Sequence, residues 1–292
     1  MGGASVFSLQ ESVENYGCFL TADAGYDEAE AVLLGVPMDY TVSYRPGSRF
    51  GPQAIRAASV VLEEYSPALD RELGDCRICD LGDLVLPFGN VAKALDLMEQ
   101  AAARFFADRK RPCFLGGEHL VSLPLIRAAH AMYPDLVVLH FDAHADLKRD
   151  FRGEAFSDLT LMRRVWDILG DGRIYQFGVR SGSREEFEWS MEHTRIETGS
   201  ANSIDSCAEA VLPRPIYITV DLDVLDPAEF PATGTPEAGG MSFRSLYDAL
   251  LSLRGFDVVG FDICGLYPPY DTTGVSTSLA VKLLREMLIA FS

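Results

Sequence analysis

Basic side chains are scarce in this 292-residue chain. Only 25 Lys and Arg stand against 43 Asp and Glu, a formal net charge of −18. Such a chain has no surplus of cations to neutralise a phosphate backbone, so nucleic acid is excluded as an expected partner. Long apolar runs are missing too. None approaches the roughly 20 residues of a membrane span, and no membrane association is expected. No basic segment followed by an apolar one opens the chain, so no secretory signal is read there. Six cysteines are too few for a disulfide framework at this length. Cys76 and Cys79 form a lone CxxC with no second pair nearby, which points to reduced structural thiols. The expectation from these absences is a cytoplasmic protein. The acidic balance favours a cationic substrate or a bound metal.

What is present is a hydrophobic content of 48%, enough for one large core. Short apolar runs predict strands at residues 31–36, 77–81, 112–115, 136–141, 173–177, 216–220 and 258–261. Between them, apolar residues recur every three or four positions, as at Val91, Leu95, Met98, Ala102 and Phe105. Helices are predicted near residues 53–62, 90–108, 120–133, 158–169, 183–193, 243–253 and 276–291. This alternation predicts an α/β fold, a central mostly parallel sheet with helices on both faces. Residues 1–30 are polar and irregular and are expected to form an N-terminal arm, with a single domain over 31–292.

In such folds, sites gather at the carboxyl ends of strands. Asp142, His144 and Asp146 follow the apolar run 136–139 at alternate positions, so they project toward one spot. Asp221 and Asp223 follow the run 216–220, and His119 closes the segment that begins at Phe114. Four carboxylates and two imidazoles at three strand ends are costly unless cations sit among them. The set is rich in oxygen and lacks thiolate, which suits two Mn²⁺ or other first-row divalent ions rather than a closed zinc site. A pair of such ions lowers the pKa of a shared water and supports hydrolysis. The other histidines, His130, His140 and His193, are read as structural.

These stretches resemble the ureohydrolase family, the arginase and agmatinase group, and bacterial agmatinases most. The resemblance runs from about Leu33 to the C-terminus. It is carried by the stretch from Ser43 to Pro52, Gly116-Gly117-Glu118-His119, Phe141-Asp142-Ala143-His144-Ala145-Asp146, Gly178-Val179-Arg180, the stretch from Val220 to Pro227, and Gly234-Thr235-Pro236-Glu237. It implies a three-layer α/β/α domain, a paired Mn²⁺ centre, a small cationic guanidino substrate, release of urea and an amine, and homo-oligomers (trimers or hexamers). Position by position, it implies that His119 and Asp146 hold one metal and that His144 and Asp223 hold the other. Asp142 and Asp221 would bridge. Asp146 would also help protonate the departing amine.

Two positions depart from the family pattern. Asp158 stands where the family has a histidine thought to shuttle protons at the site mouth. Gly265 stands where it has a glutamate that grips the guanidinium. Losing such a charge-assisted pair costs about 2–5 kcal/mol in binding. Asp158 is therefore the second candidate catalytic residue, beside Asp146, and restoring both family residues is expected to restore agmatine hydrolysis. Three readings follow: a ureohydrolase with an altered substrate grip, a hydrolase of a different amidine or amide, and a weakly active or inactive metal-binding homologue acting as a subunit or binding protein.

Overall fold

The continuous apolar runs lie side by side as strands in a computed structural model, which describes residues 8, 9 and 12–292. The strands are β1 (Val13–Glu14), β2 (Ala31–Val36), β3 (Tyr65–Ser66), β4 (Arg71–Glu72), β5 (Ile78–Leu84), β6 (Arg111–Gly116), β7 (Val137–Phe141), β8 (Ile174–Val179), β9 (Arg195–Thr198), β10 (Ile216–Asp221) and β11 (Val258–Cys264). The helices are α1 (Gly51–Ser59), α2 (Val91–Ala107), α3 (Ser122–Met132), α4 (Leu161–Leu169), α5 (Arg184–His193), α6 (Ile204–Val211), α7 (Phe243–Ser252) and α8 (Val275–Ala290). The main sheet runs β1-β5-β2-β6-β11-β10-β7-β8-β9. Among the described residues of this sheet, only the edge strand β1 is antiparallel to its neighbour; β3 and β4 form a separate hairpin. Among the described residues, no helix is long and apolar enough to cross a membrane.

Side chains alternate strictly between the two faces. Ala31 and Leu33 of β2 join one apolar cluster with Ile55 of α1, Ile204 of α6, Leu246 of α7 and Leu283 of α8. Val32, Leu34 and Val36 join the other, with Leu95 of α2, Ile126 of α3 and Val165 of α4. A strand buried on both faces has no polar alternation to show, so its sequence reads as an unbroken apolar run. The expected three-layer α/β/α arrangement is borne out.

β11 runs past Phe261 because one carboxylate oxygen of the buried Asp262 is held by neighbouring hydroxyls rather than ending the strand. Its Oδ1 accepts from Ser122 Oγ at 2.8 Å and Thr219 Oγ1 at 2.7 Å. β9 is polar and lacks apolar alternation, and α6 is only eight residues long, so neither stands out from sequence. In the first 30 residues, β1 pairs with β5, and Phe19 is fully buried.

A buried ion cluster fastens this region. Arg56 on α1 donates through Nε to Asp80 Oδ2 and through Nη2 to Asp80 Oδ1, at 2.8 and 2.9 Å. It also pairs with Asp83 and donates to the Gly82 carbonyl. Asp80 in turn accepts from the Phe19 amide at 2.8 Å. Removing Arg56 strands two carboxylates in the interior. Arg56→Ala is expected to lower stability by about 3–5 kcal/mol, measured by urea denaturation.

Candidate metal centre

Strand register brings the acidic motifs together. β7 lies beside β10 with Phe141 opposite Val220, so Asp142 and Asp221 leave adjacent strands at the same level. β11 lies between β10 and β6, with Asp221 opposite Cys264 and Ile263 opposite Leu115. His119 follows β6 in a tight turn spanning His119–Val121. His119, Asp142, His144, Asp146, Asp158, Asp221 and Asp223 all line one cavity, with Tyr267 and the segment Thr233–Thr235 completing its wall. Gly265 contributes no wall of its own.

Each acidic side chain is held by local structure. Asp146 has a left-handed backbone, φ 53°, which aspartate tolerates better than most residues. Its carbonyl accepts the Met162 and Arg163 amides at 2.9 and 3.2 Å, capping the otherwise unpaired first turn of α4. Asp221 Oδ1 accepts the Asp223 amide at 2.9 Å, which sets the turn Leu222–Val224. Asp223 Oδ1 accepts the Ala143 amide at 3.0 Å and so spans from β10 to β7. Arg180 fixes this turn from behind. It donates to the carbonyls of Asp223 at 2.8 Å, Val224 at 3.1 Å and Glu237 at 2.7 Å.

Asp142 is the centre of the cluster. Its Oδ2 lies 2.8 Å from His119 Nδ1 and 3.1 Å from His140 Nε2. Its Oδ1 lies 3.3 Å from His144 Nδ1, which is 3.0 Å from Asp223 Oδ2. His119 Nδ1 is also 3.7 Å from carboxylate oxygens of Asp146 and Asp221. Ligand-type atoms thus fall into two groups sharing Asp142: one with His119, His140 and Asp146, the other with His144 and Asp223.

His140 was read from sequence as structural, and the fold gives it a positioning role. Gln176 Nε2 donates to the Ala145 carbonyl at 2.8 Å and lies 3.1 Å from His140 Nδ1. With Nδ1 accepting, the proton sits on Nε2 and points at Asp142. No sequence signal marks this, because Gln176 lies on a neighbouring strand. Thr219 sets the His119 ring in the opposite sense, by accepting from its Nε2–H. It donates to Asp262 and lies 2.8 Å from His119 Nε2, leaving Nδ1 to face the carboxylates.

The electrostatics of the bare cluster are those of a cation site. Burial pushes the carboxyls of Asp146 and Asp221 well above the usual range, and the neighbouring Asp142 charge adds to the effect. Asp223 is raised by the same causes. Burial alone would raise Asp142, but hydrogen bonds from His119, His140 and His144 hold it well below that range. Burial disfavours the His119 imidazolium, yet Asp142, Asp221 and Asp146 together lift it to about 10. His144 Nε2 is buried without a hydrogen-bond partner among the described residues. A donor set that must gather protons to stay buried, with an orphaned imidazole nitrogen, fits divalent metal.

Asp158 opens the turn before α4, and burial raises its carboxyl. Its Oδ1 accepts from Ser157 Oγ at 2.7 Å and from the Leu159 amide at 2.8 Å. Gly265 sits in the middle of the centre rather than at its rim. Its φ is 83°, and a Cβ built there would lie 2.1 Å from Asp221 Oδ1. Any side chain at 265 requires the turn or Asp221 to shift, which counts against simple restoration of the family glutamate.

An α/β/α sheet with carboxylates and imidazoles massed at the carboxyl ends of its central strands defines a metallohydrolase architecture. The Arginase family model matches residues 29–290. The chain is 45% identical over 279 residues to an agmatinase of Bacillus anthracis, covering 94% of this chain and 96% of that protein. It is 44% identical over the same length to an agmatinase of Bacillus subtilis, with the same shares of each chain. The crystal structure of agmatine ureohydrolase of Thermoplasma volcanium superposes with a TM-score of 0.86 at 35% identity, covering 98% of this chain and 96% of that one. The chain belongs to the arginase family and is a hydrolase of the ureohydrolase class.

Two predictions follow from the cluster. The folded-state values of His119, His144, Asp146, Asp221 and Asp223 all lie above their unfolded ones. Stability from these groups is therefore present at low pH and lost as pH rises; Asp142 has the opposite sign but acts only below about pH 4. Metal-free protein is expected to lose roughly 5 °C or more in Tm between about pH 6 and pH 9, and Mn²⁺-loaded protein much less. Differential scanning calorimetry checks this. Gly265→Ala is expected to cost about 1–3 kcal/mol and to weaken metal uptake, measured by denaturation and metal titration.

Proposed function

We propose that this chain is a binuclear-metal hydrolase that cleaves a guanidino C–N bond to urea and an amine. The observation that carries this is the convergence of His119, Asp142, His144, Asp146, Asp221 and Asp223 on one cavity. In this reading His119 and Asp146 would hold one Mn²⁺ and His144 and Asp223 the other, with Asp142 and Asp221 completing the donor set. When bound, the two ions supply Lewis acidity and a water of lowered pKa. Asp146 would take up the proton given up by the attacking water and help pass it to the departing amine. Asp158 faces the same cavity and offers a cationic substrate its Oδ2, which carries no hydrogen bond among the described residues. His140 and Thr219 orient Asp142 and His119. Agmatinase relatives support a guanidino substrate, and the same reading includes assembly into trimers or hexamers.

A second reading is favoured by one specific observation. Gly265 provides no carboxylate, and its position leaves no room for one. A homologue that binds metal without turning over guanidines is consistent with that.

Urea release after Mn²⁺ loading, from agmatine, arginine, guanidinobutyrate and guanidine, separates the two readings. The proposal expects turnover of at least one compound, abolished by chelation. Asp223→Asn should lower it more than about 100-fold, with reduced metal content. Full metal occupancy with no urea from any of the four would overturn the proposal in favour of the second reading or of a hydrolase of a different amidine or amide.

A further inference from the structure

His119 and His144 both turn Nδ1 toward carboxylates, but among the described residues only His119 has a partner for its other nitrogen. That partner opens a buried chain of hydroxyls that ends on Asp262. His119 Nε2 lies 2.8 Å from Thr219 Oγ1, and Thr219 Oγ1 donates to Asp262 Oδ1 at 2.7 Å. Thr219 on β10 and Asp262 on β11 are direct partners in the strand register, so the sheet itself sets their spacing. Ser122, the first residue of α3, donates to the same oxygen at 2.8 Å, and the Cys264 thiol reaches it at 3.5 Å. Asp262, Thr219 and Ser122 are fully buried, and none of the three lines the metal cavity. Asp262 is thus a buried carboxyl group with no direct part in holding ions or substrate.

Counting protons fixes the direction of these hydrogen bonds. A hydroxyl has one proton to give and two lone pairs to receive. Ser122 gives its proton to Asp262. Thr219 gives its own to Asp262 or, across 3.1 Å, to Ser122. Either way that proton points away from His119, and an oxygen lone pair faces Nε2. A neutral imidazole in this setting carries its proton on Nε2 and keeps the Nδ1 lone pair for a cation. Nδ1 is the nitrogen that lies 2.8 Å from Asp142 and 3.7 Å from Asp146 and Asp221. Stacking on His140, with centroids 5.1 Å apart, holds the plane of the ring. Without an acceptor at position 262, the Thr219 proton is free to turn to Nε2. The imidazole proton then moves to Nδ1, on the side where a cation has to bind.

We propose that Asp262 is a positioning residue for the metal centre: acting through Thr219, it holds the His119 proton on Nε2 and so presents Nδ1 to one ion of the pair. The inference rests on the reading of the cluster as a metal pair, but concerns a residue outside that cluster. Mn²⁺ binding is measured on the full chain by chelator competition and by electron paramagnetic resonance. The proteins compared are wild type, Asp262→Leu, Asp262→Asn, Thr219→Val and Thr219→Ser, each checked for folding by circular dichroism. Leucine and asparagine both remove the charge, but only asparagine keeps an oxygen for Thr219.

Asp262→Leu is expected to weaken one of the two ions by about 10–100-fold and to leave the other near its wild-type affinity. Thr219→Val, which keeps Asp262 in place, should do the same and stands in if the leucine variant does not fold. At Mn²⁺ levels that fill the wild type, both should show the spectrum of an isolated ion in place of a coupled pair. Asp262→Asn and Thr219→Ser should bind as the wild type does. Unchanged affinity for both ions in folded Asp262→Leu or Thr219→Val overturns the proposal and leaves the metal pair standing. So does a loss in Asp262→Asn as large as that in Asp262→Leu, which would assign the effect to charge. A wild type that binds a single ion, lost in Asp262→Leu and kept in Asp262→Asn, refutes the pair and leaves the role of Asp262 standing. A wild type that binds none refutes both.

Discussion

Four carboxylates buried within a few ångströms of one another cannot all ionise without positive charge between them. That repulsion organises the whole carboxyl end of this sheet. Without metal, the fold meets it with protons: Asp146 and Asp221 are pushed toward the neutral form, and His119 is held toward the charged one. Asp142 escapes the trend because three imidazoles converge on it. The remaining structure holds these groups in place against their repulsion. Arg180 ties the Asp223 turn, α4 docks on the Asp146 carbonyl, and Gln176 sets the tautomer of His140. Divalent cations relieve the repulsion and release the protons, so metal uptake, pH and stability are linked through one cluster.

The position of β11 explains why the departures from the family pattern matter. This strand lies between β6 and β10, the strands that deliver His119 and the Asp221–Asp223 pair. Whatever follows Cys264 therefore enters the centre from its middle. Gly265 enters with a positive φ and no side chain, in contact range of Asp221. Tyr267 then lies against Gly234 and lines the cavity. Gly265 and Tyr267 thus reach the centre on one short segment, and Asp158 faces the same cavity from the start of α4.

Much of this was legible beforehand. Ala31–Val36 reads as an apolar run because both faces of β2 are buried, and its bounds coincide with the strand. The amphipathic spacing of α2 is equally direct. Asp142, His144 and Asp146 could be grouped because alternate residues at a strand end share a side. The polar β9, the eight-residue α6 and the continuation of β11 through Asp262 were not legible. Each depends on partners distant in the chain, such as Ser122 and Thr219 for Asp262. His140 was passed over for the same reason, since its role is defined by Gln176, 36 residues away on β8.

By itself, the sequence determined the layered α/β/α fold, the family, and the residue types available for a metal centre. Period-two and period-3.6 apolar patterns and short local motifs carry that information without reference to anything far away. Only the tertiary structure decided that Gly265 abuts Asp221, that Tyr267 rests on Gly234, and that His140 and Thr219 orient the imidazoles and carboxylates. These are contacts between different strand ends, governed by register and by the space left where a side chain is missing. Neither quantity is written along a single strand.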